Sequence, residues 1–258
     1  MSVLRPGVTP GIAAALGWEG SDISYVSKFG LNSDVDATAA AEDIWQAGGL
    51  YTGFPTGAAE TVDVVSTSAS DTAAGTGMRT LMLSGLDANY VERTEAVTLN
   101  GLTAVTTSST WTRVNHAWGL TAGSGGTNAG DVTIKHHTTT TNVFVQMTAG
   151  VGSAQACAYT VPAGKQAAIA GYRASVSNNG GAGTAARVQV GLWIRPFGAM
   201  WYRLRSLWIQ NTSGLGDVAL PGALVLPAKT DIVARAESGA SADNLSVTAS
   251  FDLFLVKA

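Results

Sequence analysis

The chain has 258 residues and a net charge of -3, with 46% hydrophobic and only 13% charged residues. This apolar content excludes an intrinsically disordered protein, and the 31 glycines keep no three-residue period, which excludes a collagen. No stretch reaches the roughly 18 apolar residues that span a membrane, and the weak N-terminal charge argues against a secretory signal, so we expect a cytosolic origin and no membrane partner.

The charge is unevenly distributed along the chain. Residues 1–50 carry a net charge of -4, residues 51–150 carry -3 and residues 151–258 carry +4. No segment has the clustered positive charge that nucleic-acid binding requires, so no nucleic-acid partner is expected. The single cysteine, Cys157, excludes an internal disulfide and a thiolate metal cluster.

Residues 1–50 predict an extended N-terminal arm. The segment contains few β-branched residues, and a short helix is predicted near residues 39–47, closed by Gly48 and Gly49. It has too few apolar residues to fold alone, so it should dock on the body of its own chain or on a neighbour. We hypothesise that it binds a neighbouring chain instead of filling its own core.

Residues 51–150 predict a Thr-rich β domain, because they hold 22 of the 29 threonines and Thr favours strands. Asn100-Gly101 lies between two alternating runs, which predicts a two-residue hairpin that pairs Leu99 with Leu102. Further strands are predicted at residues 111–114, 132–135 and 143–146, and the Gly-rich residues 122–130 predict a loop.

Residues 151–258 show the same β pattern with larger side chains. Strands are predicted at residues 159–165, 187–194, 201–210 and 245–256, the first ending in a Pro-x-Gly turn. Short strands at regular spacing predict an all-β fold, an antiparallel β-sandwich or jelly-roll body behind the N-terminal arm.

The histidines do not predict a catalytic or metal site. The chain has only His116, His136 and His137, and no Gly-x-Ser-x-Gly motif surrounds any serine. Adjacent side chains in a strand point to opposite faces, so His136 and His137 cannot share one ion. We expect them to be exposed at a strand end.

Other candidate motifs are equally weak. Residues 123–130 are rich in glycine but lack the Lys-Ser/Thr ending of a phosphate loop. Two pairs of carboxylates have the residue types of a glycosidase without a recognisable sugar cleft: Glu92 with Glu95, and Asp63 with Asp71. The sequence therefore predicts no enzyme activity, no cofactor and no bound metal.

Residues 193–208 form the most unusual stretch, with aromatic and arginine side chains interleaved. On an extended strand Trp201, Arg203 and Arg205 share one face, and the other face holds Tyr202, Leu204 and Trp208. One face should pack in the core, and the arginine face suits a subunit contact, ordinary surface packing or a platform for a sugar.

Several stretches resemble structural proteins of tailed-bacteriophage virions. The matching stretches are residues 27–36, 42–49, 70–80, 85–90, 98–101, 161–165 and 229–232. The matching stretches are spread along most of the chain, from residue 27 to residue 232, and related phage proteins with β-sandwich bodies serve as capsid cement, head fibres, collars or tail parts. The family has no catalytic residues to transfer.

The resemblance implies a non-enzymatic virion protein, a capsid decoration or cement protein above all. The alternative is a head-fibre, collar or tail module that binds a host-surface glycan. Expected partners are further copies of the chain in a homo-oligomer such as a trimer, and the major capsid protein or another virion protein, all within a virion made in the bacterial cytoplasm. We place Phe29, Trp45, Trp201, Arg203 and Arg205 at the interface.

Overall fold

A computed structural model describes residues 23–36, 40–178, 186–210, 215–240 and 245–258. Those residues form antiparallel strands and no helix, so they contain no helix that could cross a membrane. The strands are β1 (Ile23–Val35), β2 (Glu42–Asp43), β3 (Val62–Ser66), β4 (Met78–Leu86), β5 (Glu92–Thr98), β6 (Val105–Thr106), β7 (Arg113–Ala122), β8 (Val132–His136), β9 (Val143–Met147), β10 (Ala158–Thr160), β11 (Lys165–Asn178), β12 (Arg187–Arg195), β13 (Tyr202–Gln210), β14 (Leu215–Leu226), β15 (Asp231–Ala240) and β16 (Leu245–Lys257).

The larger of two β units is a sandwich built from both ends of the described chain. One sheet has the order β1-β16-β11-β14, and the other has the order β10-β15-β12-β13, with β2 also paired to β15. Strand β16 alternates buried and half-buried residues almost to its end, which places Phe251 and Leu253 inside. They pack in one core with Val188 and Leu192 of the facing sheet. The all-β, antiparallel fold class is confirmed.

The first described strand is part of this sandwich. Strand β1 pairs with β16 from Ile23↔Val256 onwards, and Val35 and Ile44 are fully buried in the core of the larger unit. The hypothesis that residues 1–50 contact a neighbour instead of their own core is therefore wrong for 23–36 and 40–50. Residues 1–22 and 37–39 lie outside the described part of the chain.

The helix predicted near residues 39–47 does not form over residues 40–47. Instead, Glu42 and Asp43 form β2 on β15, and the Ile44 N–H donates to the Ala234 carbonyl at 2.9 Å. The Asp43 carboxylate accepts from Arg235 Nε at 2.6 Å, which fixes this extended segment on the sheet. Pairing with a distant strand thus overrides the helical preference of an Ala-rich segment. Gly48 and Gly49 do adopt positive φ, at 70° and 64°.

The smaller unit is formed by residues 51–150 and also contains two sheets. Their orders are β6-β3-β8-β9 and β5-β4-β7. Apolar side chains from both sheets meet in a second core, which includes Leu81, Leu83, Trp111, Ile134 and Phe144. The unit lies between β2 and β10 in the chain, and both of these short strands pair with β15. It is thus inserted into the edge of the larger sandwich.

The predicted Asn100-Gly101 hairpin is wrong in its pairing. Strand β5 pairs with β4 and β6 pairs with β3, so the two flanking runs belong to different sheets. Leu99 is buried in the core whereas Leu102 is 65% exposed. A turn does form, with the Thr103 N–H donating to the Asn100 carbonyl at 3.1 Å and Gly101 at φ 59°. The burial of Leu99 and the pairing of β5 and β6 with other strands therefore determine which residues pair on either side of the turn.

Most of the remaining strand predictions are confirmed with small shifts in their bounds, but that at residues 111–114 overlaps β7 only at 113–114, and that at 159–165 is mostly the turn between β10 and β11. The predicted strands at residues 132–135 and 143–146 correspond to β8 and β9, and that at 187–194 corresponds to β12. The Gly-rich loop packs against the turn before β4, where the Gly123 N–H donates to the Gly77 carbonyl at 2.8 Å. Alternating hydrophobicity located these strands because each buries one face.

Candidate functional site

A cleft of about 510 Å³ lies where the two units meet. We call it the aromatic cleft. Its walls come from the segment before β3 and the β8–β9 turn of the smaller unit, and from β2, β12, β15 and Trp201, just before β13, of the larger unit. It is lined by Asp43, Tyr51, Thr52, Phe54, Pro55, Thr56, Gly57, Glu60, His136, Thr139, Asn142, Arg195, Trp201 and Arg235.

A series of aromatic contacts forms one wall of the cleft. Trp45 and Tyr51 meet edge to face with ring centroids 5.1 Å apart, and Tyr51 contacts Phe54 at 4.8 Å. Phe54 in turn contacts Trp201 at 5.5 Å. The structure therefore brings together two of the predicted interface residues, Trp45 and Trp201. Trp45 is buried in the core of its own chain, whereas Trp201 is half-buried at the cleft.

Two arginines of the cleft are held by buried carboxylates. Arg235 donates from Nε and Nη2 to the two Asp43 oxygens at 2.6 and 3.2 Å. Burial raises the pKa of Asp43, and these two hydrogen bonds oppose the rise. Arg195 lies over the Trp201 ring at 4.8 Å from its centroid and donates from Nη2 to Asp231 at 2.7 Å. Both guanidinium groups are thus fixed in place before any ligand arrives.

Asp231 joins the two units beside this cleft. Its carboxylate accepts from Arg113 Nε and Nη2 at 3.0 and 3.1 Å, in the paired geometry that suits arginine and carboxylate. It also accepts from Thr160 Oγ1 at 2.6 Å. Arg113 belongs to the smaller unit and Asp231 and Arg195 to the larger, and the side chains of Arg113 and Asp231 are only 4% exposed. The junction is therefore a buried ionic network.

The paired histidines differ in their surroundings. His136 is 1% exposed, so the expectation that both are exposed is wrong for this residue, whereas the side chain of His137 is 54% exposed. Burial lowers the pKa of His136, and its Nδ1 lies 3.7 Å from Glu60 Oε1. His137 instead contacts Asp63 through Nδ1 at 2.9 Å. The two rings point to opposite sides of the chain at the end of β8, as strand geometry dictates. No group of three potential metal ligands occurs in the described ranges.

The carboxylates considered as catalytic pairs have structural partners. Asp71 is fully buried and accepts from Ser66 Oγ at 2.6 Å and from the backbone N–H groups of Met78, Ala129 and Gly130 at 2.7, 2.8 and 3.0 Å. It thereby ties the Gly-rich loop to the start of β4. Glu92 pairs with Lys165 Nζ at 2.6 Å on the surface.

The predicted shared face of Trp201, Arg203 and Arg205 does not form on β13, which is the edge strand of its sheet. A bulge opposite Leu192 and Trp193 interrupts the alternation at Leu204, so the two faces expected from a regular strand do not persist. Leu204 and Leu207 pack against the core, whereas Tyr202 and Trp208 are 47% and 57% exposed. The expectation that Tyr202, Leu204 and Trp208 share one face against the core is therefore wrong.

The other predicted interface residues occupy three different environments. Arg203 donates to the Glu237 carboxylate, which also accepts from Trp193 Nε1 at 2.9 Å. Arg205 is exposed on the edge strand. Phe29 is 46% exposed on β1.

The sequence missed Asp231, Arg113 and Arg195, because no local motif surrounds an ion pair between residues so distant in the chain.

No protein-family model and no curated protein matches this sequence. Among solved structures, a chain from a structure titled "Structure of infectious bursal disease virus Gt strain" aligns over 96% of this chain and 78% of its own, with 10% identity and a TM-score of 0.17. A score this low carries no argument about fold or function.

Proposed function

We propose that this chain is a non-enzymatic structural protein of a tailed-bacteriophage virion, and specifically a capsid decoration or cement protein. The resemblance in the sequence supports this assignment. The observation that carries it is the strand order of the larger unit. With β2 and β10 counted together as the second of eight strands, one sheet runs 1-8-3-6 and the other 2-7-4-5. This order favours a jelly roll, an architecture used by viral capsid proteins and lectins.

The edge strand β13 supports a role in assembly. An open strand edge exposes unpaired backbone groups, and proteins normally cover or protect such edges. Here the edge carries the exposed Tyr202, Arg205 and Trp208, and the guanidinium carbon of Arg187 lies 5.4 Å from the Trp208 ring centroid. Aromatic and arginine side chains are enriched at protein interfaces, so another copy of the chain or the major capsid protein fits this edge.

The copy number in purified particles tests the proposal. Quantitative mass spectrometry would compare this chain with the major capsid protein of the same particles. A decoration protein should be present in hundreds of copies, and a dozen or fewer would indicate a collar or tail part instead. Absence of the chain from particles would contradict any virion role.

The aromatic cleft favours a second candidate function, binding of a host-surface glycan by a head-fibre, collar or tail module. Trp201 offers a ring beside the fixed Arg195, and Asn142 and Glu60 bring amide and carboxylate groups to the same cleft. Glycan fragments from the host surface should quench tryptophan fluorescence, and Trp201→Ala should abolish the quenching while Trp208→Ala retains it. Equal quenching in both variants would argue against the cleft.

A further inference from the structure

A second cavity, of about 430 Å³, lies between β1 and the smaller unit and shares no lining residue with the aromatic cleft. We infer that it binds a sugar that carries a single carboxylate, a hexuronate for instance, with Lys28 as the cation that receives the carboxylate. This inference does not depend on the assembly role proposed above.

The first step of the argument is the position of Lys28. Its side chain lies on the inward face of β1, and the residue is 5% exposed. Nζ donates to the backbone carbonyl of Asn115 at 2.6 Å, and both residues line the cavity. Within the described ranges no carboxylate forms an ion pair with this ammonium group. A buried lysine without a counter-ion is costly, and an anion that reached Nζ would offset that cost.

The second step concerns the neighbours of Lys28, which remain uncharged near neutral pH. Burial, with a smaller repulsion from Lys28, lowers the pKa of His116 to about 4, so its ring is neutral. Burial raises the pKa of Cys157 and of Tyr159, which keeps both of these groups protonated. Burial also lowers the pKa of Lys28 to about 8, so the ammonium group is still mostly charged at pH 6.5. The deep part of the cavity therefore holds one net positive charge.

The third step is the choice of ligand class. The hydroxyl-bearing residues Ser84, Ser153 and Tyr159 line the same cavity and suit the hydroxyl groups of a sugar. Phe29 also lines it and is 46% exposed, but on β1 its side chain points to the face opposite Lys28. Glu92 adds a carboxylate at the cavity, which disfavours a doubly charged phosphate. One cation and several hydroxyl groups thus favour a monoanionic sugar.

The test is a calorimetric or NMR titration of the full chain with D-glucuronate at pH 6.5, with D-glucose and inorganic phosphate as comparisons. We expect saturable binding of glucuronate, and at least about tenfold weaker binding by Lys28→Met, because a hydrogen-bonded charge pair is lost. Lys257→Met, at the exposed end of β16, is the matched control and should bind like the wild type.

A second measurement needs no substitution. Because Lys28 loses its proton near pH 8, the wild-type affinity for glucuronate should fall about tenfold or more between pH 6.5 and pH 9.5. Unchanged affinity over that range would overturn the assignment, as would undiminished binding by a folded Lys28→Met variant. Equal or tighter binding of glucose or phosphate would overturn the ligand class, and the absence of glucuronate binding by the wild type would overturn the site.

Discussion

At the scale of single residues, the buried charges Asp43, Arg113 and Asp231 lie where the two units meet. Asp231 receives hydrogen bonds from two arginines and a threonine, and Asp43 is held by Arg235. A buried carboxylate is tolerated only when its oxygens are satisfied, and these arginines supply donors in paired geometry. The network also positions Arg195 beside Trp201, so the structural contact and the candidate glycan site share a residue.

We predict that Asp231→Asn destabilises the protein by about 3–5 kcal/mol, because the substitution leaves Arg113 buried without a counter-charge. Urea unfolding followed by tryptophan fluorescence measures this loss. Asp34→Asn is the control, since Asp34 is exposed on β1 and its substitution should stay within about 0.5 kcal/mol. Equal stability of Asp231→Asn and the control would show that the network contributes nothing to folding.

At the scale of elements, the approach of β1 to the segments that flank the inserted unit is unusually close. A Cβ atom at Gly30 would lie 2.3 Å from the Cys157 nitrogen and 2.3 Å from the Ile44 carbonyl oxygen. Only a glycine fits there without displacement of backbone. This close contact brings Lys28, two residues earlier, within reach of the smaller unit.

Gly30→Ala should therefore destabilise the protein by about 1–3 kcal/mol, because the added methyl group meets backbone atoms that cannot rotate away. Gly171→Ala on β11 of the same sheet is the matched control. A Cβ there meets no atom closer than 4.0 Å, so little change is expected. Thermal unfolding of the two variants compares them directly, and a tolerated Gly30→Ala would indicate that β1 moves away from Cys157 without loss.

At the scale of the whole molecule, β13 is an edge strand of the larger sandwich among the described strands, at the opposite edge from the inserted unit. Trp201, Arg203 and Arg205 were predicted to share an interface face. Trp201 contacts Phe54 within the chain and Arg203 bonds to Glu237, so Arg205 is the most available of the three to a partner. The exposed Trp208 lies on the same strand and was not among the predicted interface residues.

We predict that the purified chain forms an oligomer and that the double variant Arg205→Ala, Trp208→Ala shifts it toward monomer. The reason is that aromatic and arginine anchors dominate interface energies, and truncation of one anchor costs about 2 kcal/mol or more. Sedimentation velocity measures the masses. Leu102→Ala removes an exposed apolar side chain of the smaller unit and should leave the mass unchanged. An oligomer unaffected by the double variant would place the interface elsewhere.

The sequence by itself determined the all-β class and the positions of most strands. Alternating runs such as residues 187–194 and 245–256 carry that information locally, because each strand buries one face and leaves the other partly exposed. The turn conformation at Gly101 could also be predicted from its residue type, since glycine readily takes the positive φ that the turn needs.

Only the tertiary structure decided which strands pair, which charges meet and which surfaces remain open. The segment at residues 40–47 has a helical composition but is extended against β15. Leu99 does not pair with Leu102, because the Leu99 side chain is buried in the core whereas Leu102 is exposed. Asp231 and Arg113 meet across the two units, and Lys28 reaches Asn115 in the same way. Such contacts depend on how the two units pack against each other, and no local sequence pattern encodes the partner of a side chain 87 or 118 residues away.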